Sequence, residues 1–366
     1  MYFIFRFQRS TAFYTFLTIY FFYFAYFSVL LFFCRGKSIN ETTQKGSVSP
    51  YAMAMGNGTH GHHYTAQLNN TTSATNVTTK RVYLWTIPRS ISTAFERCFI
   101  GFDNIRVVHE PYSTAYYFGP DSRRRNLAPF VPTEREYSYQ NIKDRLEDEY
   151  EGKDFIFCKD HAFTLDERYD MMARGFAHTI LIRDPVKTMS SFYRLARKPK
   201  LLSWPINTIL PSGYAYKELY DLHEHVRTKL GQDVIIIDAD DLLRYPEQMV
   251  RRYCDAIGVP FQSEMMDWNP RINVTQSWSR TLKLLQFLGG IYDRALTSTC
   301  FQEQPHNGGH ADNNNSNGAA NSCNGNSVAD LASLPDEVLE AVKVSQPYYN
   351  KLYDRRLVPE DRETEV

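Results

Sequence analysis

A turn near residue 90 combines residue types that bind anions with the start of a predicted helix. An apolar run over 81–86 is followed by Pro88-Arg-Ser-Ile-Ser-Thr-Ala94, and an amphipathic helix is predicted over 93–100. Helix N-termini offer backbone N–H groups without intrahelical partners, and here a cation and three hydroxyl groups join them. The turn is a candidate phosphate or sulfate cradle. It has no glycine and no Walker A pattern, and a plain Ser/Thr cap beside a solvated arginine stays open as the alternative.

A second candidate anion site follows a later apolar run, over 178–182. Arg183 ends that run, Pro185 favours a helix start, and Ser190 and Ser191 lie two turns into the helix. A guanidinium can bind a phosphate through two hydrogen bonds, and the hydroxyl of Ser191 would add a third. Two anion sites at neighbouring strand ends suit a ligand that carries two separate phosphates.

Five short apolar runs alternate with helical patterns and must position these groups. Such alternation is typical of an α/β fold, a three-layer sandwich with a central parallel sheet and helices on both faces. A last helix is predicted over 336–353, broken at Pro347. The predicted strands cover residues 81–86, 104–108, 154–158, 178–182 and 233–237.

The N-terminal residues predict a membrane anchor. Residues 11–34 are free of charge, and 16 of the chain's 49 Phe and Tyr lie between Tyr2 and Phe33. A helix of that length spans roughly 36 Å, more than the hydrocarbon core of about 30 Å. We predict one transmembrane helix, and a cleaved signal peptide is the alternative, disfavoured by the length of the apolar stretch.

Glycosylation sequons predict that the residues after this helix are lumenal. The segment 35–80 is polar, without apolar periodicity, and is predicted to be a flexible stem whose His60, His62 and His63 are solvated rather than metal ligands. No metal is expected in the protein. The sequons of the whole chain begin at Asn40, Asn57, Asn69, Asn70, Asn76, Asn273 and Asn314.

A low-complexity Asn/Gly-rich insertion lies near the C-terminus of the chain, and a disulfide could join Cys300 and Cys323 at its ends.

The number of Lys and Arg residues equals the number of Asp and Glu residues, 41 each, which argues against nucleic acid as a partner. The predicted segments are a cytosolic tail (1–10), the transmembrane helix (11–34), the stem (35–80), an α/β domain (81–300), the insertion (301–331) and a C-terminal helix and tail (332–366).

Three motifs, in order, resemble the sulfotransferase family over about 81–261, roughly half the chain. Leu84-Trp-Thr-Ile-Pro-Arg-Ser-Ile-Ser-Thr-Ala-Phe-Glu-Arg97 resembles the family's 5′-phosphosulfate loop. Ile182-Arg-Asp-Pro-Val-Lys-Thr-Met-Ser-Ser-Phe-Tyr193 is similar to its 3′-phosphate motif, and Asp240-Asp-Leu-Leu-Arg-Tyr-Pro-Glu247 resembles a third family segment. The chain departs from many members at Arg89, where cytosolic members carry Lys, and at Ile91, where many carry Gly.

The resemblance implies 3′-phosphoadenylyl sulfate as donor and transfer of its sulfuryl group to a hydroxyl or amine. Arg89 would stabilise the charge that develops during transfer, while Arg183 and Ser191 would hold the 3′-phosphate. Golgi carbohydrate sulfotransferases resemble this chain in carrying Arg in the loop, which implies a glycan acceptor and a Golgi membrane location. The implied donor-binding residues are Arg89, Ser90, Ile91, Ser92, Thr93, Ala94, Arg183 and Ser191.

The strand over 104–108 ends at candidates for the general base. Glu110, before Pro111, resembles the position that supplies a carboxylate in the Golgi enzymes, and His109 is the second candidate because an ordinary imidazole titrates near pH 6.5. A structural ion pair is the alternative role for Glu110. His161 is a third candidate, for base or substrate contact, and Tyr112 could stack on a sugar or lie in the core.

Two other functions compete with the predicted enzyme. A lumenal binding protein that keeps the fold without turnover would fit the loss of Arg89 or Arg183, and both are present. A nucleotide-dependent kinase is disfavoured by the missing Walker lysine.

Two groups of basic residues are interpreted as solvated surface charge, and binding of an anionic polysaccharide is the alternative. They are Arg123, Arg124 and Arg125, and the basic residues from Arg194 to Lys200.

Overall fold

The computed structural model describes residues 79–127, 131–197, 205–301 and 334–360. The predicted anchor, the His-rich segment and the predicted stem as far as residue 78 lie outside these ranges, as do Cys323 and every sequon except the one at Asn273. Over the ranges just given, no helix is both long and apolar enough to cross a membrane.

One parallel sheet of five strands forms the centre of the fold, in the order β2-β3-β1-β4-β5. All five predicted strands are present, with ends shifted by no more than three residues, so the α/β prediction with a central parallel sheet is confirmed. The strands are β1 (Lys80–Thr86), β2 (Ile105–His109), β3 (Phe155–His161), β4 (Ala177–Ile182) and β5 (Ile235–Asp238).

Eleven α-helices connect and flank these strands within the described ranges. They are α1 (Ser92–Glu96), α2 (Pro111–Phe118), α3 (Tyr139–Glu147), α4 (Pro185–Ala196), α5 (Ile206–Ile209), α6 (Tyr216–Lys229), α7 (Ala239–Arg244), α8 (Pro246–Ile257), α9 (Arg280–Gly289), α10 (Asp293–Thr297) and α11 (Asp336–Tyr353).

The two faces of the sheet each bury an apolar layer. Alternate residues of β1 point to opposite sides, so that Trp85 joins the layer beneath α2, α6 and α11 while Leu84 joins the layer beneath α1 and α8. This arrangement confirms the predicted helices on both faces. Burial of full side chains in each layer, at roughly 1.5–3 kcal/mol apiece, is what holds the helices to the sheet.

The last helix, α11, is continuous through Pro347, and the predicted break there is wrong. Proline removes one hydrogen bond from a helix, but α11 packs against α4 and α6 and has buried residues both before and after that position. Val338, Ala341 and Leu352 are fully buried in this contact. Tertiary packing therefore outweighs the local cost of the proline.

Strand register brings the polar residues that follow the strands to one edge of the sheet. In the parallel ladders Thr86 aligns with His161 and Leu181, and His109 aligns with Lys159. Because β1, β2, β3 and β4 all end here, the turn after β1, the residues after β2 and Arg183 meet at the carboxyl edge. Ligands of open α/β sheets bind at this edge.

Candidate active site

The turn after β1 holds two residues in the left-handed region of backbone conformation. Arg89 has φ 68° and Ile91 has φ 63°, values that glycine adopts far more readily than a β-branched residue. Strain of this kind persists where the surroundings enforce it, and it is concentrated at functional turns. The position where the sequence departs from the family's glycine therefore keeps a glycine-like backbone.

Backbone N–H groups of this turn form only part of the predicted cradle. The N–H of Ala94 donates to the Ile91 carbonyl at 2.9 Å, which contradicts its predicted role as a free donor. Within the described part of the chain, the N–H groups of Ser92 and Thr93 have no such acceptor. The Ser90 hydroxyl is also engaged, with the Ile87 carbonyl at 2.8 Å and with Thr86.

The two predicted anion motifs are in direct contact. Arg89 Nε donates to Ser191 Oγ at 3.1 Å, and Arg183 Nη1 donates to the Arg89 carbonyl at 3.0 Å. Arg183 and Ser191 are 94 and 102 positions away from Arg89 in the sequence, yet the three residues form one corner at the ends of β1 and β4. We call Arg89, Arg183 and Ser191 the arginine corner.

Neither arginine of the corner forms an ion pair with a carboxylate in the ranges that the structure describes; their hydrogen bonds go to a hydroxyl and to backbone carbonyls. Burial lowers the pKa of Arg89 and of Arg183, although a guanidinium stays charged at any physiological pH. Arg183 Nε and the Ser190 hydroxyl are buried without a hydrogen-bond partner. Unpaired buried donors are costly, and an anion with several oxygens would satisfy them.

A second cluster lies beside the corner and centres on Glu110. Its Oε1 pairs with Lys159 Nζ, a fully buried ammonium that also donates to Thr93 Oγ1 at 3.2 Å. Its Oε2 accepts a hydrogen bond from the Tyr292 hydroxyl at 2.7 Å. Thr93 belongs to the cradle, so Lys159 links Glu110 to the cradle. We call Glu110, Lys159, His161 and Tyr292 the carboxylate cluster.

Charges within the carboxylate cluster shift its titration. Burial would raise the pKa of Glu110, but Lys159 and the neighbouring His109 and His161 outweigh it and hold that pKa below its ordinary value. Burial lowers the pKa of His161 to about 4, against the opposing effect of Glu110. At neutral pH the cluster therefore contains an ionised carboxylate and a neutral imidazole.

The two predicted histidines have different surroundings. His109 is buried, bonded through Nδ1 to Glu96 Oε2 at 2.6 Å and stacked on Trp278 with ring centroids 4.2 Å apart. The side chain of His161 is 14% exposed and its Nε2 lies 3.5 Å from Glu110 Oε1. His161 is thus more accessible to an acceptor than either His109 or Glu110.

Tyr112 lies in the core, the second of the two placements expected for it, and not at a surface where it could stack on a sugar. Its side chain is fully buried and its hydroxyl donates to the Met171 carbonyl at 2.6 Å. Its backbone N–H donates to Asp160, whose carboxylate caps the start of α2 and whose pKa burial raises to about 6. The aromatic run after Glu110 builds the core.

The basic residues near 123–125 make local contacts. Arg123 lies 3.3 Å from Asp166, Arg124 donates to the Tyr116 hydroxyl, and Arg125 donates to the Val131 carbonyl. Asn273, the one described sequon residue, is exposed. Within the described ranges no group of three His, Cys, Asp or Glu could hold a metal ion.

Four residues of the site are not among those predicted for it from the sequence: Lys159, Glu96, Trp278 and Tyr292. Lys159 ends a predicted strand run, which is a signal that could have placed it at the same edge as Glu110. Glu96 is the thirteenth residue before His109 and gives no local pattern. Tyr292 lies well after the three motifs, so no spacing pointed to it.

Comparison with known proteins matches this region to one family. Residues 80–280, 201 of the 366, match the model described as "Sulfotransferase domain". The branched-chain-amino-acid aminotransferase-like protein 2 of Arabidopsis thaliana is 28% identical over 192 residues, which are 51% of this chain and 31% of that protein. The aminotransferase-like protein 1 of the same plant is 27% identical over 191 residues, 51% of this chain and 32% of that protein. The chain thus spans about a third of the length of these curated relatives.

Solved structures similar to the chain include two sulfotransferases. The sulfotransferase domain of the Synechococcus PCC 7002 olefin synthase is 16% identical, with a TM-score of 0.41, over 60% of this chain and 88% of that one. Mouse sulfotransferase SULT7A1, complexed with PAP, is 13% identical, with a TM-score of 0.30, over 51% and 60%. Because the family model matches more than half of its residues, the chain belongs to the sulfotransferase family.

Proposed function

We propose that the protein is an enzyme that transfers the sulfuryl group of 3′-phosphoadenylyl sulfate to an acceptor hydroxyl or amine. One observation carries the proposal above all. The arginine corner places a buried and a partly buried guanidinium group side by side without an ion pair to a carboxylate. Next to it, Lys159 connects Thr93 of the cradle to the ionised Glu110, which lies beside the neutral His161. Such a pair of clusters combines anion binding with proton acceptance.

The arginine corner fits a donor with two anionic ends. Arg183 and the buried Ser190 hydroxyl have unsatisfied donors, and we assign them, with Ser191, to the 3′-phosphate. Arg89 and the N–H groups of Ser92 and Thr93 are assigned to the phosphosulfate end. When bound, the donor supplies the sulfuryl group, and these residues would orient it and stabilise the charge that develops on its oxygens.

The acceptor proton would pass to the carboxylate cluster. His161 is neutral near pH 7 and partly exposed, so its imidazole can take a proton directly. Glu110 lies 3.5 Å away and would stabilise the resulting imidazolium. Glu110 would act as the base itself only after giving up its contact with Lys159 or its hydrogen bond from Tyr292. We therefore propose His161 as the base and Glu110 as the group that supports it, with His109 as a structural residue.

The acceptor and location are finer proposals that rest on the sequence. We propose a glycan acceptor, a type II anchor over residues 11–34 and a Golgi membrane location. Support comes from the apolar N-terminal stretch, from the sequons and from the exposure of Asn273. A binding protein that keeps the fold without turnover is the competing proposal. Turnover distinguishes the two.

A transfer assay tests the proposal. The full-length protein is incubated with sulfur-35-labelled donor and a panel of glycans, and label transfer to each acceptor is counted. We expect transfer to at least one acceptor, and Arg89→Ala should reduce it by about 100-fold because two charge-assisted hydrogen bonds are lost. Arg174→Ala, which removes an exposed arginine paired with Glu147, is the matched control and should be unchanged.

Two outcomes would reject parts of this proposal. Binding of adenosine 3′,5′-bisphosphate without transfer to any acceptor would favour the binding protein. Absence of both would reject the donor assignment. Glu110→Gln and His161→Asn separate the roles of the two groups, since loss of the base should lower kcat more than loss of the supporting carboxylate.

A further inference from the structure

The segment 289–298 passes over both clusters and holds a functional group of each. The carbonyl of Ile291 accepts a hydrogen bond from Arg89 Nη1 at 2.9 Å. The hydroxyl of the next residue, Tyr292, donates to Glu110 Oε2 at 2.7 Å. Two adjacent residues thus occupy the donor-binding arginine and the carboxylate at the same time. We call residues 289–298 the strap.

The strap is fixed at its far end. Arg97 Nη1 donates to the carbonyls of Ala295, Leu296 and Ser298, and the Thr299 carbonyl accepts from the N–H of Trp268 at 2.7 Å. This anchor is made of several hydrogen bonds to backbone that do not involve either cluster. Movement of the strap is therefore expected at its near end, around Ile291 and Tyr292.

The near end of the strap begins at two glycines. Gly289 ends α9, and Gly290 follows with φ 57° in the left-handed region. Gln286 also holds this end: its Oε1 accepts from the Tyr292 N–H at 2.7 Å and its Nε2 donates to Asp293 at 2.6 Å. The Trp278 ring packs edge-on against the Tyr292 ring, with centroids 4.7 Å apart. A pair of glycines can absorb a change in backbone angle with little strain.

The Tyr292 side chain covers the carboxylate cluster. Its ring lies edge-on to His109, with centroids 5.3 Å apart, and Lys159 Nζ is 5.9 Å from its centre. Burial and the nearby Glu110 raise the pKa of the Tyr292 hydroxyl, so it stays protonated and keeps donating. An acceptor hydroxyl would have to occupy the position beside Glu110 that the Tyr292 hydroxyl now fills.

We propose that Tyr292 is a positioning residue that keeps the site closed until the donor binds. An anion at Arg89 competes with the Ile291 carbonyl for the same guanidinium. Release of Ile291 moves the adjoining Tyr292 away from Glu110, which frees the carboxylate cluster for the acceptor. The consequence is ordered binding, with the donor first. This inference rests on the proposed function, because it requires a donor that binds at Arg89.

Strap closure and donor binding are thermodynamically linked, so the direction in which a variant changes the dissociation constant of the nucleotide tests the inference. A contact that stabilises only the closed strap opposes donor binding, so its removal should strengthen binding. Titration calorimetry with adenosine 3′,5′-bisphosphate is carried out on the full-length protein and on Tyr292→Phe. We expect about a tenfold lower dissociation constant for the variant, the equivalent of one hydrogen bond to a charged group. A purely structural tyrosine would give equal or weaker binding.

Two further variants complete the test. Tyr349→Phe removes the hydroxyl bonded to Asp238 at 3.0 Å, a second tyrosine–carboxylate pair, and should leave the dissociation constant unchanged. Gln286→Ala removes a partly exposed side chain that holds the strap without touching Glu110, and should also tighten binding.

Hydrogen exchange of the strap amides gives an independent measurement. We expect adenosine 3′,5′-bisphosphate to speed exchange at the Tyr292 amide severalfold in the wild type, while the amides near the Arg97 anchor keep their rates. Unchanged or slower exchange at Tyr292, or equal or weaker nucleotide binding by Tyr292→Phe, would overturn the inference. If the wild type binds no nucleotide, the donor assignment fails first, and the two failures are thereby distinguished.

Discussion

The arginine corner and the carboxylate cluster lie side by side, yet their charges are balanced in opposite ways. Arg183 is a buried cation and Arg89 a partly buried one, and their partners are a hydroxyl and backbone carbonyls. Glu110 is a buried anion with a lysine, a tyrosine hydroxyl and a histidine around it. Burial of charge is costly unless it is compensated, so the first cluster suits an incoming anion while the second is complete within the chain. The proposed roles in anion binding and in proton transfer would thus be carried by two separate clusters.

The largest effect on the free energy of unfolding is expected at the carboxylate cluster, because the charge of Glu110 is compensated by Lys159 within the chain. Lys159→Met keeps the size of the side chain but leaves Glu110 buried without its cation. We expect a loss of about 3–5 kcal/mol in the free energy of unfolding, measured by urea denaturation at pH 7. The double variant Lys159→Met/Glu110→Gln should recover most of it, and a neutral single variant would show that the pair is not compensating.

A smaller effect is expected at Tyr112, which lies in the core beside the carboxylate cluster. Tyr112→Phe removes the hydrogen bond to the Met171 carbonyl and should lower the free energy of unfolding by about 1 kcal/mol. Its KM for any glycan acceptor should equal that of the wild type. A KM increase without loss of stability would restore the predicted contact between Tyr112 and a sugar.

The smallest effect is expected in the pH profile. A general base must be unprotonated, and the acid limb of kcat/KM reports its pKa in the free enzyme. Because burial lowers the pKa of His161 to about 4, and the pKa of Glu110 is also below its ordinary value, kcat/KM should vary less than about twofold through this group between pH 6 and 8. An acid limb near pH 6.5 would instead indicate an imidazole in ordinary surroundings.

Local sequence patterns were enough to predict the sheet and the arginine corner. Each strand is a short apolar run, and parallel strands bring their carboxyl ends to one edge whatever their order. Arg89 and Arg183 follow such runs directly, so their meeting could be expected from topology. Ser191 was placed by its interval of eight residues from Arg183.

The carboxylate cluster was only half predictable, because its partners come from distant segments. Glu110 pairs with a lysine 49 residues away and a tyrosine 182 residues away. A fully buried lysine is rare, and nothing in the run before Lys159 indicates that the residue is paired rather than solvated. The roles of Tyr112 and the strap depend on packing, which a single sequence does not specify.

The assignment of the arginine corner is tested most directly by comparing two nucleotides on two proteins. Calorimetry measures the binding of adenosine 3′,5′-bisphosphate and adenosine 5′-monophosphate to the full-length wild type and to Arg183→Ala. If Arg183 holds the 3′-phosphate, the wild type should prefer the bisphosphate by about 100-fold, and the variant should lose most of that preference. Equal binding of the two nucleotides by the wild type, or the same preference in both proteins, would contradict a two-anion site built on Arg89 and Arg183.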